Sequence, residues 1–394
     1  MIRIPSDCNA GEVESLLNEI VAKPGQGLSV PIKIARSASF GVATLLVLAI
    51  AKWLQVNSKD TRLVVPTEVL SLANSRDRFA GTLHGMAAVW LSTTVVTADG
   101  AECRRILLEA IAPYVLAMAE RRLGETVRGP HVLLCCFQPA TNEFLRTLYS
   151  RPERGSRDPD TGRERVTVRS QGEFLDLLLE FQDQASIGVD GMFNEGQLAT
   201  ISAVLFQLFK NADVHTVTDQ QGNKYPKSMR GLMVRRVRLS ATSEIEAYAD
   251  DDRRLSSFLV RNTTGRATGS FIEISVFDTG PGMVARWLGR KGLSFGSLED
   301  ISLDEEFKLT KNCFELHTTT QNSGGHGDGL DIALKSLAQL SAFMSLRTGR
   351  MSLCQDFSSS ETRATFDPKH RFPKKRLAAT GGTSYTLCIP VPSA

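Results

Sequence analysis

Neither sign of charge dominates this chain. Its 394 residues hold 46 Lys and Arg against 43 Asp and Glu, a net charge of +3. So even a balance creates no global field to draw in a polyanion or an anionic membrane surface. Cysteine offers no framework either. The seven cysteines stand at 8, 103, 135, 136, 313, 354 and 388, an odd number with no CxxC spacing. They read as reduced thiols of a cytoplasmic protein, not as disulfides or zinc ligands. Long apolar runs are also missing. The most apolar segment, FGVATLLVLAIAKWLQV (40–56), is interrupted at Lys52, short of the ~18 residues a membrane span needs. It reads as a helix buried on every side, and no membrane association is expected. The first residues show no basic stretch followed by an apolar one, so no signal peptide is expected. No phosphate loop of the form GxxxxGKS or GxxxxGKT occurs.

What remains is the composition of an ordinary globular protein, 42% hydrophobic and 23% charged, long enough for two or three domains. GLSVPIKIA (27–35) and TRLVVP (61–66) read as strands around the apolar helix 40–56, a βαβ unit. Residues 101–122 carry a helical period interrupted by Pro113. HVLLCCF (131–137) reads as a third strand. Residues 1–150 are therefore expected to form a small α/β domain. His84 and His131 lack an acid or thiol partner in any catalytic spacing, so both are read as structural. RPERGSRDPDTGRER (151–165) has five Arg, four acids, two Pro and two Gly and no apolar period. It is expected to be a linker.

The second domain, 166–394, starts with a strand and helix over 166–181. A helix over 195–216 has apolar residues at 198, 201, 204, 205, 208 and 209. Strands are expected at 231–240 and 270–278, two more around Thr348-Gly349, and a last one over 381–391. Three local patterns carry chemistry. In QLFKNA, Gln207 and Asn211 are one turn apart and share a helix face. An Asn amide oxygen is a fair Mg²⁺ ligand when phosphates supply the others, although a buried Asn bonded to backbone has the same sequence. In DTGPGM, Asp278 ends a strand, where its carboxylate can accept from an exocyclic amine. Gly280 and Gly282 let the backbone bend and approach a flat ring. An ordinary turn would read the same way. In GGHGDGL, Gly325, Gly327 and Gly329 free successive N–H groups to surround phosphate oxygens at a helix N-terminus. That run does not follow a first βα strand, which excludes the dinucleotide fingerprint.

In this order, with a closing strand opened by GGTSYTL, the patterns over roughly 170–391 resemble the GHKL superfamily. Its members include gyrase B, the heat-shock-90 chaperones, histidine kinases, mismatch-repair ATPases and the mitochondrial dehydrogenase kinases. The resemblance implies a Bergerat α/β sandwich, a mixed sheet backing helices, with ATP and Mg²⁺ as cofactors. It implies that Asn211 holds Mg²⁺ and that Asp278 binds the adenine amine, partly through water shared with Thr383. It also implies that Met283 packs on adenine and that Gly325, Gly327, Gly329 and Leu330 line the phosphates. The segment from about 284 to 324 would be an ATP lid, its mixed charge and Gly content suiting a mobile loop.

Three departures qualify the expected activity. Hydrolysing members carry Glu at the position of Gln207, where it acts as general base, and an amide cannot accept that proton. The chain then binds ATP as a switch, transfers phosphate to a separate protein acceptor, or carries Gln in place of a native Glu. Val214 stands where histidine kinases often place a basic residue, and His215 beside it is either a phosphate contact or structural. Residues 217–230 and 241–268 look like inserted loops. The surroundings of His84 show no phosphoacceptor helix, so the N-terminal unit, a protein partner or a homodimer is the expected output element. RATFDPKHRFPKKR (363–376), with six Lys and Arg against one Asp, is either a solvated loop or a contact for an acidic partner or nucleic acid.

Overall fold

Two sheets of opposite character organise the chain in the computed structural model, which describes residues 1–57, 62–128, 131–138, 148, 168–184, 193–265, 267–290, 298–315, 329–358 and 364–392. The smaller sheet is parallel throughout, in the order β1 (Ile2–Arg3), β2 (Leu28–Ser29), β3 (Arg62–Val65), β4 (Thr94–Thr97). Parallel neighbours need helical crossovers, and these are α1 (Ala10–Ala22), α2 (Val42–Val56) and α3 (Leu83–Leu91). α2 packs against both α1 and α3, so the three helices lie together on one side of the sheet. The strand expected over 27–35 is only two residues long, because Pro31 has no N–H for the ladder and Ala35–Ala38 turns into a 3₁₀ helix.

The larger sheet is antiparallel throughout. Its strands are β5 (Val127–Arg128), β6 (His131–Gln138), β7 (Ser228–Leu239), β8 (Gly269–Asp278), β9 (Phe343–Thr348), β10 (Met351–Asp356), β11 (Lys369–His370) and β12 (Thr383–Pro390). Their spatial order is β11-β10-β9-β12-β8-β7-β6-β5. β6, expected as the third strand of the N-terminal unit, instead pairs along its whole length with β7. Its run of apolar residues suits a strand covered on both faces, which this sheet provides.

Helices cover both faces of that sheet. On the front, α6 (Glu195–Thr216) packs on β7 and β8, flanked by α5 (Gln171–Gln184) and α11 (Gly329–Gln339). A capping box starts α6: Asn194 accepts from the Gln197 N–H at 2.9 Å, and Gln197 accepts from the Asn194 N–H at 3.0 Å. On the back, α2 meets β12 and β8, and α3 meets β7. α2 is buried on nearly every side, as its sequence predicts, because it lies between α1, α3 and this back face. Thr44 accepts from Ser384 of β12 at 2.8 Å, and Glu14 of α1 forms a buried pair with Arg347 of β9. One continuous core runs from Ile2 to Val391 through both sheets, so the chain is an α/β sandwich.

Three expectations are modified. The helix α4 (Arg104–Ala119) continues through Pro113; the carbonyl that Pro113 leaves without a donor belongs to exposed Glu109, where water can serve it. Residues 241–268 contain α7 (Thr242–Ala249) and α8 (Arg253–Thr263) where loops are expected. Tyr248 of α7 donates to buried Glu273 of β8 at 2.6 Å, and Phe258 of α8 packs on Phe271. Residues 217–227 do form a turn, closed by a bridge between Thr218 and Lys224, but 228–230, expected in the same loop, already belong to β7. The linker 151–165 lies outside the described residues. No helix among the described residues is long and apolar enough to cross a membrane, and all seven cysteines are free thiols.

Candidate functional site

The front of the larger sheet brings together most of the residues singled out in sequence. α6 runs over β8 so that Asn211 faces the closing strand β12. Its amide donates to the Tyr385 hydroxyl at 3.1 Å, and that hydroxyl in turn lies 3.4 Å from the Met283 sulfur. Three segments far apart in sequence are thereby joined in one hydrogen-bonded chain. One turn earlier on the same helix, Gln207 reaches the first residue of α11: a Cβ built at Gly329 would lie 2.6 Å from its Oε1. Leu330, next in α11, packs against the core. Gly325 and Gly327 lie outside the described residues.

Asp278 is the last residue of β8, opposite Thr383 of β12. It is 2% exposed. Burial pushes its carboxyl up to about 7, against the opposing pull of N–H groups from Gly280 and Thr383 and the charge of Arg230. The Gly280 N–H donates to Asp278 Oδ1 at 2.8 Å. A carboxyl so poised can change charge near neutral pH when a donor approaches it.

The turn after Asp278 is built on its glycines. A Cβ at Gly280 would stand 2.3 Å from the His215 carbonyl in the last turn of α6. Gly282 has φ of +90°, a conformation that favours glycine, and it lets the chain pass beside the β9–β10 turn. There the Met283 N–H donates to Thr348 Oγ1 at 3.0 Å, and Thr348 Oγ1 lies 3.1 Å from Thr383 Oγ1. Thr279 clasps β7 by accepting from the Met229 N–H at 2.8 Å.

Sequence reasoning missed Tyr385, Thr348 and the Asp213–Arg230 pair at 2.7 Å. Strand alternation did hold a clue to Tyr385, which shares a face with Thr383 two residues before it. Nothing in the sequence linked Thr348 to Met283.

The expected lid is partly structured. α9 (Met283–Arg290) and α10 (Leu303–Asn312) fall within it, while 291–297 and 316–324 lie outside the described residues. α10 is fixed to the β9–β10 turn by Glu306, fully buried, which accepts from the Arg350 N–H at 2.7 Å and from its guanidinium at 2.6 Å. The basic segment 363–376 is also partly tied down. β11 pairs with β10, Arg371 pairs with Asp252, and Lys369 and Lys311 both meet Asp367; Lys374, Lys375 and Arg376 stay exposed. His84 is buried, lies 3.3 Å from the Pro31 carbonyl and is pushed down to about 4 by burial, so it is neutral. His131 lies 3.3 Å from Arg235.

Among the described residues no three or more His, Cys, Asp or Glu gather as a metal cluster. No family model matches the chain, and neither a curated protein nor a solved structure matches it.

Proposed function

We propose that the chain is a GHKL-type protein that binds ATP with Mg²⁺ at the front of the larger sheet. The supporting observation is the convergence of Asn211, Met283 and Tyr385 beside the buried carboxyl of Asp278. Asp278 would accept from the adenine amine, with Thr383 supporting a shared water, and Met283 would pack on the ring. Asn211 would hold the cation. Gly329, with Gly325 and Gly327 before it and Leu330 behind it, would receive the phosphates at the start of α11. The residues fit the group in two respects: a buried carboxyl ends β8 with its charge poised near neutral pH, and a glycine opens α11 where Gln207 abuts it.

The bound nucleotide would supply phosphate charge that draws together α6, the lid helices and the start of α11. Gln207 cannot take a proton from water, so its amide holds turnover down while leaving binding intact. The reading is an ATP-driven switch that controls how the N-terminal unit, a homodimer mate or another protein docks. Seven free thiols suit the cytoplasm. A kinase acting on a separate acceptor is the alternative, favoured by the same amide at 207.

Phosphate release tests the reading. Gln207→Glu is expected to raise the rate at least about 100-fold over the unaltered chain, the lower part of what a positioned base contributes. Equal rates would show that position 207 does not face the γ-phosphate. Label passing from γ-labelled ATP to a second protein would establish the kinase.

A further inference from the structure

A separate cavity of about 440 Å³ opens on the far side of the Gly280–Pro281 turn. None of Gln207, Asn211, Asp278, Met283 or Thr383 lines it. Its size is that of small-molecule sites, and apolar surface predominates on its walls, although ten of its seventeen lining residues are polar or charged. Leu54, Leu91, Pro226, Pro281 and Ala285 supply the apolar surface. Two lysines line it from different segments, Lys52 from α2 and Lys227 from the approach to β7.

The two lysines meet different partners. Lys227 donates to the Ser92 carbonyl, an uncharged acceptor, and burial pulls it down to about 8. Burial also lowers Lys52, opposed only by the charge of Glu299, an exposed residue of the lid. The other acid on the wall, Asp219, is committed to its own turn: its Oδ1 accepts from the N–H groups of Gln221 and Asn223 at 2.9 and 2.8 Å.

We propose that this cavity is a second ligand site, for a small organic anion with an apolar body, its charge held between Lys52 and Lys227. The position gives such a ligand leverage. Gln55 of α2, also on the wall, donates to the Gly280 carbonyl at 3.5 Å, and Pro281 forms part of the cavity itself. An occupant would brace the turn that follows Asp278 and displace Glu299 as the counter-charge of Lys52. Its effect on ATP affinity rests on the nucleotide reading above; its binding does not.

The probe is 8-anilinonaphthalene-1-sulfonate, an aromatic body with one sulfonate, titrated by fluorescence into the full chain under native conditions. One saturable site per chain is expected. Lys52→Met and Lys227→Met should each weaken it at least fivefold, and the uncharged N-phenyl-1-naphthylamine should bind at least tenfold more weakly. Ala285→Trp, which fills the cavity, should remove the saturable signal. Should that variant fail to fold, the lysine variants and the neutral probe decide. Unchanged affinity in both lysine variants, or equal binding of the neutral probe, overturns the site. Asp278→Asn separates the two readings: it should retain the sulfonate titration while losing ATP. In the unaltered chain the probe should change ATP affinity at least threefold; no change would overturn the coupling and leave the site.

Discussion

Asp278→Asn is expected to abolish measurable ATP binding and at the same time make the ligand-free chain more stable. Both effects come from one buried carboxyl. Its rise to about 7 from 3.8 means that the unfolded chain gives up this proton first as pH increases. Stability from this group is therefore complete below 3.8 and is lost as pH climbs through about 7. Above pH 7 the loss amounts to roughly 4 kcal/mol at most. An amide removes that loss and can still accept from the Gly280 N–H. Urea midpoints should place the variant above the unaltered chain at pH 8, with the gap shrinking to about half by pH 5.5. ATP affinity of the unaltered chain should fall about tenfold from pH 8 to pH 6, as the carboxylate that receives the adenine amine becomes protonated. A variant that binds ATP normally, or that is less stable at pH 8, would contradict this account of Asp278.

Arg347→Met should destabilise the chain by about 3–5 kcal/mol, the usual consequence of leaving one member of a buried ion pair alone. Arg347 bridges the two halves of the molecule. Its Nε and Nη2 reach Glu14 of α1 at 2.7 and 2.8 Å, and Nη2 also reaches the Ala378 carbonyl at 2.8 Å. Glu14 is 1% exposed, so the variant strands a carboxylate between α1 and the back of the larger sheet. Glu14→Leu combined with Arg347→Met should recover much of the loss, because the desolvation cost leaves with the charge. Chemical denaturation of the two variants and the unaltered chain measures this. A loss below about 1 kcal/mol, as for exposed pairs, would show that the N-terminal unit does not dock through this contact.

Much of this fold is readable from local pattern. The apolar period of 195–216 gave α6 its bounds, and the Thr348-Gly349 turn between alternating runs gave β9 and β10. Continuous apolarity over 40–56 predicted a helix buried all round, which α2 is. The misreadings have a common physical origin. HVLLCCF carries a strong strand signal, but an apolar run does not specify its neighbour. Its partner β7 lies across a long stretch of chain that contributes α5 and α6. The helices of 241–268 are short, and their stability comes from Tyr248, Leu255 and Phe258 packing on the sheet, a tertiary contribution that local propensity does not register.

The candidate site was legible in part for the same reason. Asp278, Gly280 and Gly282 follow each other, and Gln207 and Asn211 share a helix face, so spacing alone groups them. Tyr385 and Thr348 join the site only because antiparallel pairing sets β12 between β8 and β9. Equally, no pattern in the sequence announced that Lys52 and Lys227 line one cavity. The amines belong to segments that meet only when α2 docks behind the Gly280–Pro281 turn.

The central claim, that an adenine nucleotide binds at Asp278 and Asn211, is tested most directly by calorimetric titration of the full chain with Mg-ATP and, in parallel, Mg-GTP. The account predicts one ATP per chain and GTP at least tenfold weaker, because guanine presents a carbonyl where adenine presents the amine that Asp278 accepts. No saturable ATP binding at millimolar concentration, or equal affinity for the two nucleotides, would contradict it.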